Sequence, residues 1–113
     1  VDIHGGPHGP FNPFGFNVTW HLLNTMGYAV YAPNFRGSGG FGRRFEEAGF
    51  GQWGTRMIDD MAEGAKHLVD QGLVDGNRIC AFGGSYGGYA TAQSLVRHGD
   101  LYRCYECRSS FCH

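Results

Sequence analysis

The stretch Ile79-Cys80-Ala81-Phe82-Gly83-Gly84-Ser85-Tyr86-Gly87-Gly88-Tyr89 decides how this chain is read. Ile79 to Phe82 is a short apolar run that comes after the turn residues Asp75-Gly76-Asn77, which predicts a buried strand. The residues after Ser85 read as a helix to about His98, with Gly99 at its end. Between the two lies Gly83-Gly84-Ser85-Tyr86-Gly87, a G-x-S-x-G string. In its strand-to-helix context this string is a nucleophile elbow, with the serine hydroxyl raised above a parallel sheet on a sharp turn. Ser85 then needs a positive φ, and a side chain at Gly83 or Gly87 would collide with the neighbouring strand or helix. A glycine-rich turn without catalysis is the alternative, because three fixed positions recur by chance; the flanking strand and helix carry the reading.

Outward from the elbow the elements alternate. Val1-Asp2-Ile3 reads as the end of a strand, and His4-Gly5-Gly6-Pro7-His8-Gly9-Pro10 as a loop. Asn17 can cap a helix through Trp20, Leu22, Leu23 and Met26, closed by Gly27. Tyr28 to Ala32 predicts a buried strand ended by Pro33, and Phe45-Glu46-Glu47 a short helical turn inside a long loop. Thr55 to Gln71 predicts the longest helix, since Met57, Ile58, Met61, Ala62, Ala65, Leu68 and Val69 recur at helical spacing and Gly72 closes the run. Strands alternating with helices define an α/β chain with a parallel sheet.

A nucleophilic serine generates a tetrahedral oxyanion, which needs backbone N–H donors about 3 Å away. The amide after the serine, Tyr86, is one donor. The loop after an upstream central strand supplies the other, and the Gly5-Gly6 pair lets that backbone come close. His4 suggests two roles, a general base or a brace for this loop. In hydrolases of this kind the base comes after the serine in the chain, which favours the brace.

Together these residues resemble the catalytic domain of the prolyl oligopeptidase family of serine peptidases, particularly its acylaminoacyl-peptidase-like branch. The resemblance runs over about residues 1–104, through Ile3 to Pro7 (I-H-G-G-P), Gly27 to Phe41 (G-Y-A-V-Y-A-P-N-F-R-G-S-G-G-F), Gly51 to Gly54 (G-Q-W-G), Asp59-Asp60 and Arg78 to Tyr89. It implies a partial α/β-hydrolase fold whose first strand here would be the third of the parent sheet. It implies Ser85 as the nucleophile, an oxyanion hole lined by the Tyr86 and Gly6 amides, support from His4 and Gly5, and an elbow held by Gly83 and Gly87. The implied activity is peptide-bond hydrolysis through an acyl-enzyme on Ser85, without a cofactor, with an esterase of the same fold as the alternative. The resemblance also implies an N-terminal β-propeller in the full-length protein and a peptide as substrate.

The departures lie on the C-terminal side of the serine. The chain ends 28 residues after Ser85, and the only later acids and histidines are Asp100, Glu106, His98 and His113. His98 would stand roughly 20 Å along the same helix at 1.5 Å per residue. The triad is therefore expected to be incomplete and the polypeptide alone inactive. After Cys104 a fourth apolar run is due, yet Tyr105-Glu106-Cys107-Arg108-Ser109-Ser110 is polar. Residues 105–113 are expected to be an exposed or disordered tail produced by truncation or a frame error, with a charged edge strand as the alternative.

The remaining features exclude more than they assign. A net charge of −1 with no basic block gives no case for nucleic acid or an anionic membrane, and no apolar run approaches the roughly 18 residues of a membrane span. No signal peptide is visible at Val1. Glycine is 20 of 113 residues, clustered between apolar runs, which indicates tight loops. Cys80 is expected to be an inert buried thiol. Cys104, Cys107, Cys112 and His113 offer zinc-ligand types but not two pairs around a turn of a dozen residues, so the metal reading yields to that of a tail. Gly37-Ser38-Gly39-Gly40-Phe41-Gly42 fits G-x-G-x-x-G but does not lead straight from strand to long helix, as a dinucleotide site requires. Glu46-Glu47 looks like an amine-recognition pair, which family members take from the propeller instead. Arg36 is a candidate ion-pair partner for Asp59-Asp60, and Trp20 and Trp53 are read as packing residues.

Overall fold

The computed structural model describes residues 1–108. Three parallel strands form one sheet in the order β1-β2-β3: β1 is Asp2–Ile3, β2 Cys80–Gly84 and β3 Cys104–Arg108. The helices are α1 (Val18–Thr25), α2 (Arg43–Glu47), α3 (Arg56–Asp70) and α4 (Tyr86–His98). Helix α4 lies across all three strands and α3 packs beside it.

Local chemistry explains the helix boundaries. The Asn17 side chain accepts from the Trp20 N–H at 3.1 Å and opens α1, and Gly27 turns the chain away with φ 95°. On α3 the periodic apolar face is the buried one: Met57, Ile58, Met61, Ala62 and Ala65 are covered. That face joins Ile3, Phe35, Tyr86 and Ala90 in the main core, while Ile79, Ala81 and Tyr102 form a second cluster. No helix among the described residues is long and apolar enough to cross a membrane.

Three sequence expectations are corrected. Tyr28 to Ala32 is not a strand; the segment runs beside β1 and meets it in one backbone bond, Asp2 N–H to the Tyr31 carbonyl at 2.8 Å. The two residues of β1 offer too short an edge for a ladder, and Tyr28 and Ala29 remain exposed. Second, residues 105–108 are mostly exposed, as expected, but they take the alternative form, a charged edge strand, and not that of a disordered tail. β3 pairs in register with β2, from Cys80 with Cys104 to Gly84 with Arg108, although most of its residues are exposed. A strand at the edge of the sheet needs a partner on one side only and tolerates Glu106 and Arg108, which pair with each other at 2.9 Å. Third, Cys80 is half-buried and its sulfur is bonded to that of Cys104, because parallel register brings the two Cα atoms to 4.6 Å. Cys107 is also disulfide-bonded, so neither Cys104 nor Cys107 presents a thiolate to a metal. Cys112 and His113, the other candidate ligands, lie outside the described residues, as does the rest of the expected tail from residue 109.

Candidate active site

Ser85 stands between the last residue of β2 and the first of α4. Its φ of 55° and ψ of −123° make it the one non-glycine residue with positive φ among the described residues. A side chain with a β-carbon rarely occupies this region, so the surrounding structure holds it there. Two glycines provide the hold. A Cβ on Gly83 would come within 2.6 Å of both the Gly87 and Ile3 carbonyl oxygens, and a Cβ on Gly87 would overlap the Ile3 carbonyl. Strand β1, strand β2 and the first turn of α4 therefore approach more closely than any side chain permits. Ser85 itself is exposed, and its hydroxyl has no hydrogen-bond partner among the described residues.

The register of β1 against β2 brings the first loop to the same place. Ile3 is the partner of Gly83 in a parallel pair, so the residues after each leave the sheet at the same end. Open α/β sheets place their sites at this end. Gly5 lies against the elbow: a Cβ there would be 3.3 Å from Ser85 Cβ and 3.8 Å from Ser85 Oγ. Gly6 has φ 118°, and its peptide bond to Pro7 is cis. Neither the Gly6 nor the Tyr86 amide donates any of the backbone bonds that join turns, loops and caps among the described residues.

His4 is held at both ring nitrogens. Nδ1 lies 2.6 Å from the Gly5 carbonyl and Nε2 lies 2.8 Å from the Ser38 hydroxyl. The ring stacks on Phe35 at a centroid distance of 4.5 Å. Burial lowers the pKa of His4 and favours the neutral ring, against the smaller opposing effects of the Gly5 bond and the Asp2 charge. A carbonyl only accepts, so the single ring proton sits on Nδ1 and the Ser38 hydroxyl donates to Nε2. The His8 ring is similarly fixed: the Trp53 indole N–H donates to Nε2 at 3.0 Å, and Nδ1 donates to the Gly37 carbonyl at 2.9 Å.

The Tyr86 side chain points into the core. Its ring stacks on Trp53 at 5.4 Å, meets the edge of Phe35 at 5.9 Å, and its hydroxyl donates to the Trp53 carbonyl at 2.7 Å. Burial holds this phenol well above its ordinary pKa. Phe35 thus touches both His4 and Tyr86. The loop that carries Phe35 and Ser38 is clamped to α3 by Arg36, whose Nε and Nη2 donate to the Asp60 carboxylate at 2.8 Å each, with the Arg36 backbone N–H adding a third bond at 3.1 Å. Sequence reasoning pairs Arg36 with Asp59-Asp60 and reads Trp53 as packing. It does not single out Ser38 or His8, whose partners lie 34 and 29 residues away in the chain. The signal for them is that both loops are glycine-rich.

Asp59 binds elsewhere. Its carboxylate accepts from Arg97 at 2.8 and 3.1 Å and from His98 Nε2 at 2.8 Å. This carboxylate–histidine pair sits at the C-terminal end of α4, the far end from Ser85. It fastens α4 to α3 and does not reach the hydroxyl. No described histidine hydrogen-bonds to Ser85, so these residues bring together an exposed serine and a close glycine loop without a base. Gly42 to Glu47 contains only the short helix α2, so the G-x-G-x-x-G string does not open a long helix.

Residues 14–112 match the prolyl oligopeptidase family. Dipeptidyl aminopeptidase BIII of Pseudoxanthomonas mexicana is 40% identical over 102 residues, which cover 90% of this chain and 15% of that protein. Dipeptidyl peptidase family member 6 of Caenorhabditis elegans is 38% identical over 104 residues, 92% of this chain and 14% of that protein. Among solved structures, a puromycin hydrolase superposes with a TM-score of 0.88 at 33% identity, over 94% of this chain and 16% of that one. The acylaminoacyl peptidase of Pyrococcus horikoshii gives 0.81 at 31% identity, over 92% and 17%. The chain thus spans about one seventh of the length of the curated relatives it matches. These structural neighbours are α/β-hydrolase peptidases, and the three-stranded sheet with its helices is part of that fold.

Proposed function

Because the chain belongs to the prolyl oligopeptidase family of serine-type peptidases, we propose that it carries the nucleophile and oxyanion-binding side of a peptidase active site. Ser85 Oγ attacks the carbonyl carbon of a peptide bond, the amine leaves with a proton, and water then hydrolyses the ester on Ser85. The Tyr86 and Gly6 amides receive the oxyanion. The observation that carries this reading is Ser85 itself, exposed at a positive φ beside Gly5. A turn that served only the fold would use glycine at that position.

The acid and the base of the triad are proposed to lie outside the described residues, as is a gating propeller. A serine without its base loses most of its nucleophilic power and retains only what oxyanion binding contributes. The 113-residue polypeptide is therefore expected to turn over a peptide p-nitroanilide no faster than its Ser85→Ala variant. Fusing the chain to the remainder of a relative's catalytic domain, with its acid and histidine, is expected to create hydrolysis that Ser85→Ala abolishes. Hydrolysis by such a fusion that persists in Ser85→Ala would overturn the assignment of Ser85. Turnover of p-nitrophenyl esters but of no amide would move the reading to an esterase.

A further inference from the structure

We infer that Ser38 is a positioning residue for the oxyanion-binding peptide, acting through the ring of His4, which it holds at Nε2; the inference rests on the role proposed above for the Gly6 amide. The Gly5 carbonyl and the Gly6 N–H belong to one peptide unit. That unit is trans, since the cis bond of this loop is the next one, Gly6–Pro7. In a trans peptide the C=O and N–H point in opposite directions. Whatever holds the Gly5 carbonyl therefore also aims the Gly6 N–H. The holder is His4 Nδ1, at 2.6 Å from that carbonyl.

His4 can do this only while its proton is on Nδ1. Free neutral imidazole carries its proton on either nitrogen, and with the proton on Nε2 the ring would face the Gly5 carbonyl with a lone pair. The Gly5 carbonyl, which only accepts, selects the Nδ1–H form, and Ser38 holds the ring that meets it. Its hydroxyl is completely buried and 2.8 Å from Nε2, so with Nδ1 committed to a carbonyl it serves as the donor to Nε2. Ser38 cannot easily withdraw, because its N–H donates to the Phe35 carbonyl at 3.1 Å and its neighbour Arg36 is fixed by three bonds to Asp60. The relay therefore runs from α3 through Asp60, Arg36 and Ser38 to His4, and from His4 to the peptide beside Ser85.

The test is imidazole nitrogen NMR on the uniformly 15N-labelled 113-residue polypeptide at a pH where His4 is neutral. The expected spectrum shows His4 as a single Nδ1–H tautomer. Ser38→Ala is expected to shift the His4 Nε2 resonance, which loses its hydrogen-bond partner, and the Gly6 amide resonance, and Ser38→Thr, which keeps the hydroxyl, to restore both. His4 found as the Nε2–H tautomer in the unaltered chain overturns the inference, whether or not Ser38→Ala folds. So does a Ser38→Ala variant in which the His4 pattern and the Gly6 amide are unchanged. Ser85→Ala is expected to leave the His4 pattern intact, so failure of the peptidase reading in the turnover assay is scored separately from failure of the relay.

Discussion

The carbonyl of Ile3 occupies the space that a side chain on Gly87 would need. One end of β1 is thereby locked against the first turn of α4, and the elbow is held between them. Gly87→Ala forces backbone against side chain at a point where neither can turn aside. Overpacking a well-filled site costs about 1–3 kcal/mol, and a collision with backbone belongs at the upper end. The expected result in urea unfolding is a midpoint lowered accordingly, with little change in slope. A midpoint equal to that of the unaltered chain would show that β1 and α4 are not in contact.

Ser85 gives the opposite prediction. Its φ of 55° is unfavourable for any residue with a β-carbon, at roughly 1–3 kcal/mol per such residue. Ser85→Gly removes this strain and adds back part of it as unfolded-state entropy, about 0.5–1 kcal/mol. The substitution is expected to stabilise the fold by about 1 kcal/mol while removing the proposed nucleophile. Calorimetry of the two proteins measures it, and a less stable glycine variant would mean that the serine is not strained.

How much of this is legible in the sequence depends on the distance over which each feature acts. The Asn17 cap, the buried face of α3 and the Ser85 turn arise from neighbours within one or two turns of chain, and the structure has all three. Tyr28 to Ala32 has the composition of a strand, but a strand also needs an edge to pair with, and β1 provides only Asp2 and Ile3. β3 is the reverse case: its composition is polar, and the pairing edge of β2 makes it a strand anyway. The Cys80–Cys104 bond depends on register, which no local pattern carries. The Ser38–His4 contact joins two irregular loops, where neither periodicity nor propensity points to a partner.

The Asp59 clamp predicts an acid-sensitive contribution to stability. The Arg97 guanidinium, and after it the His98 ring, hold the Asp59 carboxyl below its ordinary pKa against an opposing effect of burial. A carboxylate whose pKa is lower in the folded than in the unfolded state stabilises fully above the unfolded value, about 3.9, and loses that contribution as the pH falls through the folded value. Asp59→Asn is expected to lower the unfolding midpoint at about pH 6, and the gap between variant and parent to narrow by about pH 3. An equal gap at both pH values would assign the effect to packing and not to charge.

The tyrosines give a prediction at the other end of the scale. Burial raises the phenol of Tyr102 to about 12 and that of Tyr86 further, and Tyr31 is also raised by burial and by the Asp60 charge. The charged form is disfavoured in the fold, so each phenol binds its proton more tightly there than in the unfolded chain, where it titrates near 10. Their contribution is complete below about pH 10 and is lost as the pH rises through the folded values. Phenolate absorbance at about pH 11 is therefore expected to fall short of the six tyrosines in the chain, and to reach six only with unfolding. Tyr86→Phe tests the assignment further. It removes a donor to the Trp53 carbonyl, at a cost of about 0.5–1.5 kcal/mol, and is expected to abolish the last part of the alkaline titration. Six phenols ionising together near pH 10 in the folded protein would place Tyr86 and Tyr102 in water, and with them the core beneath the elbow.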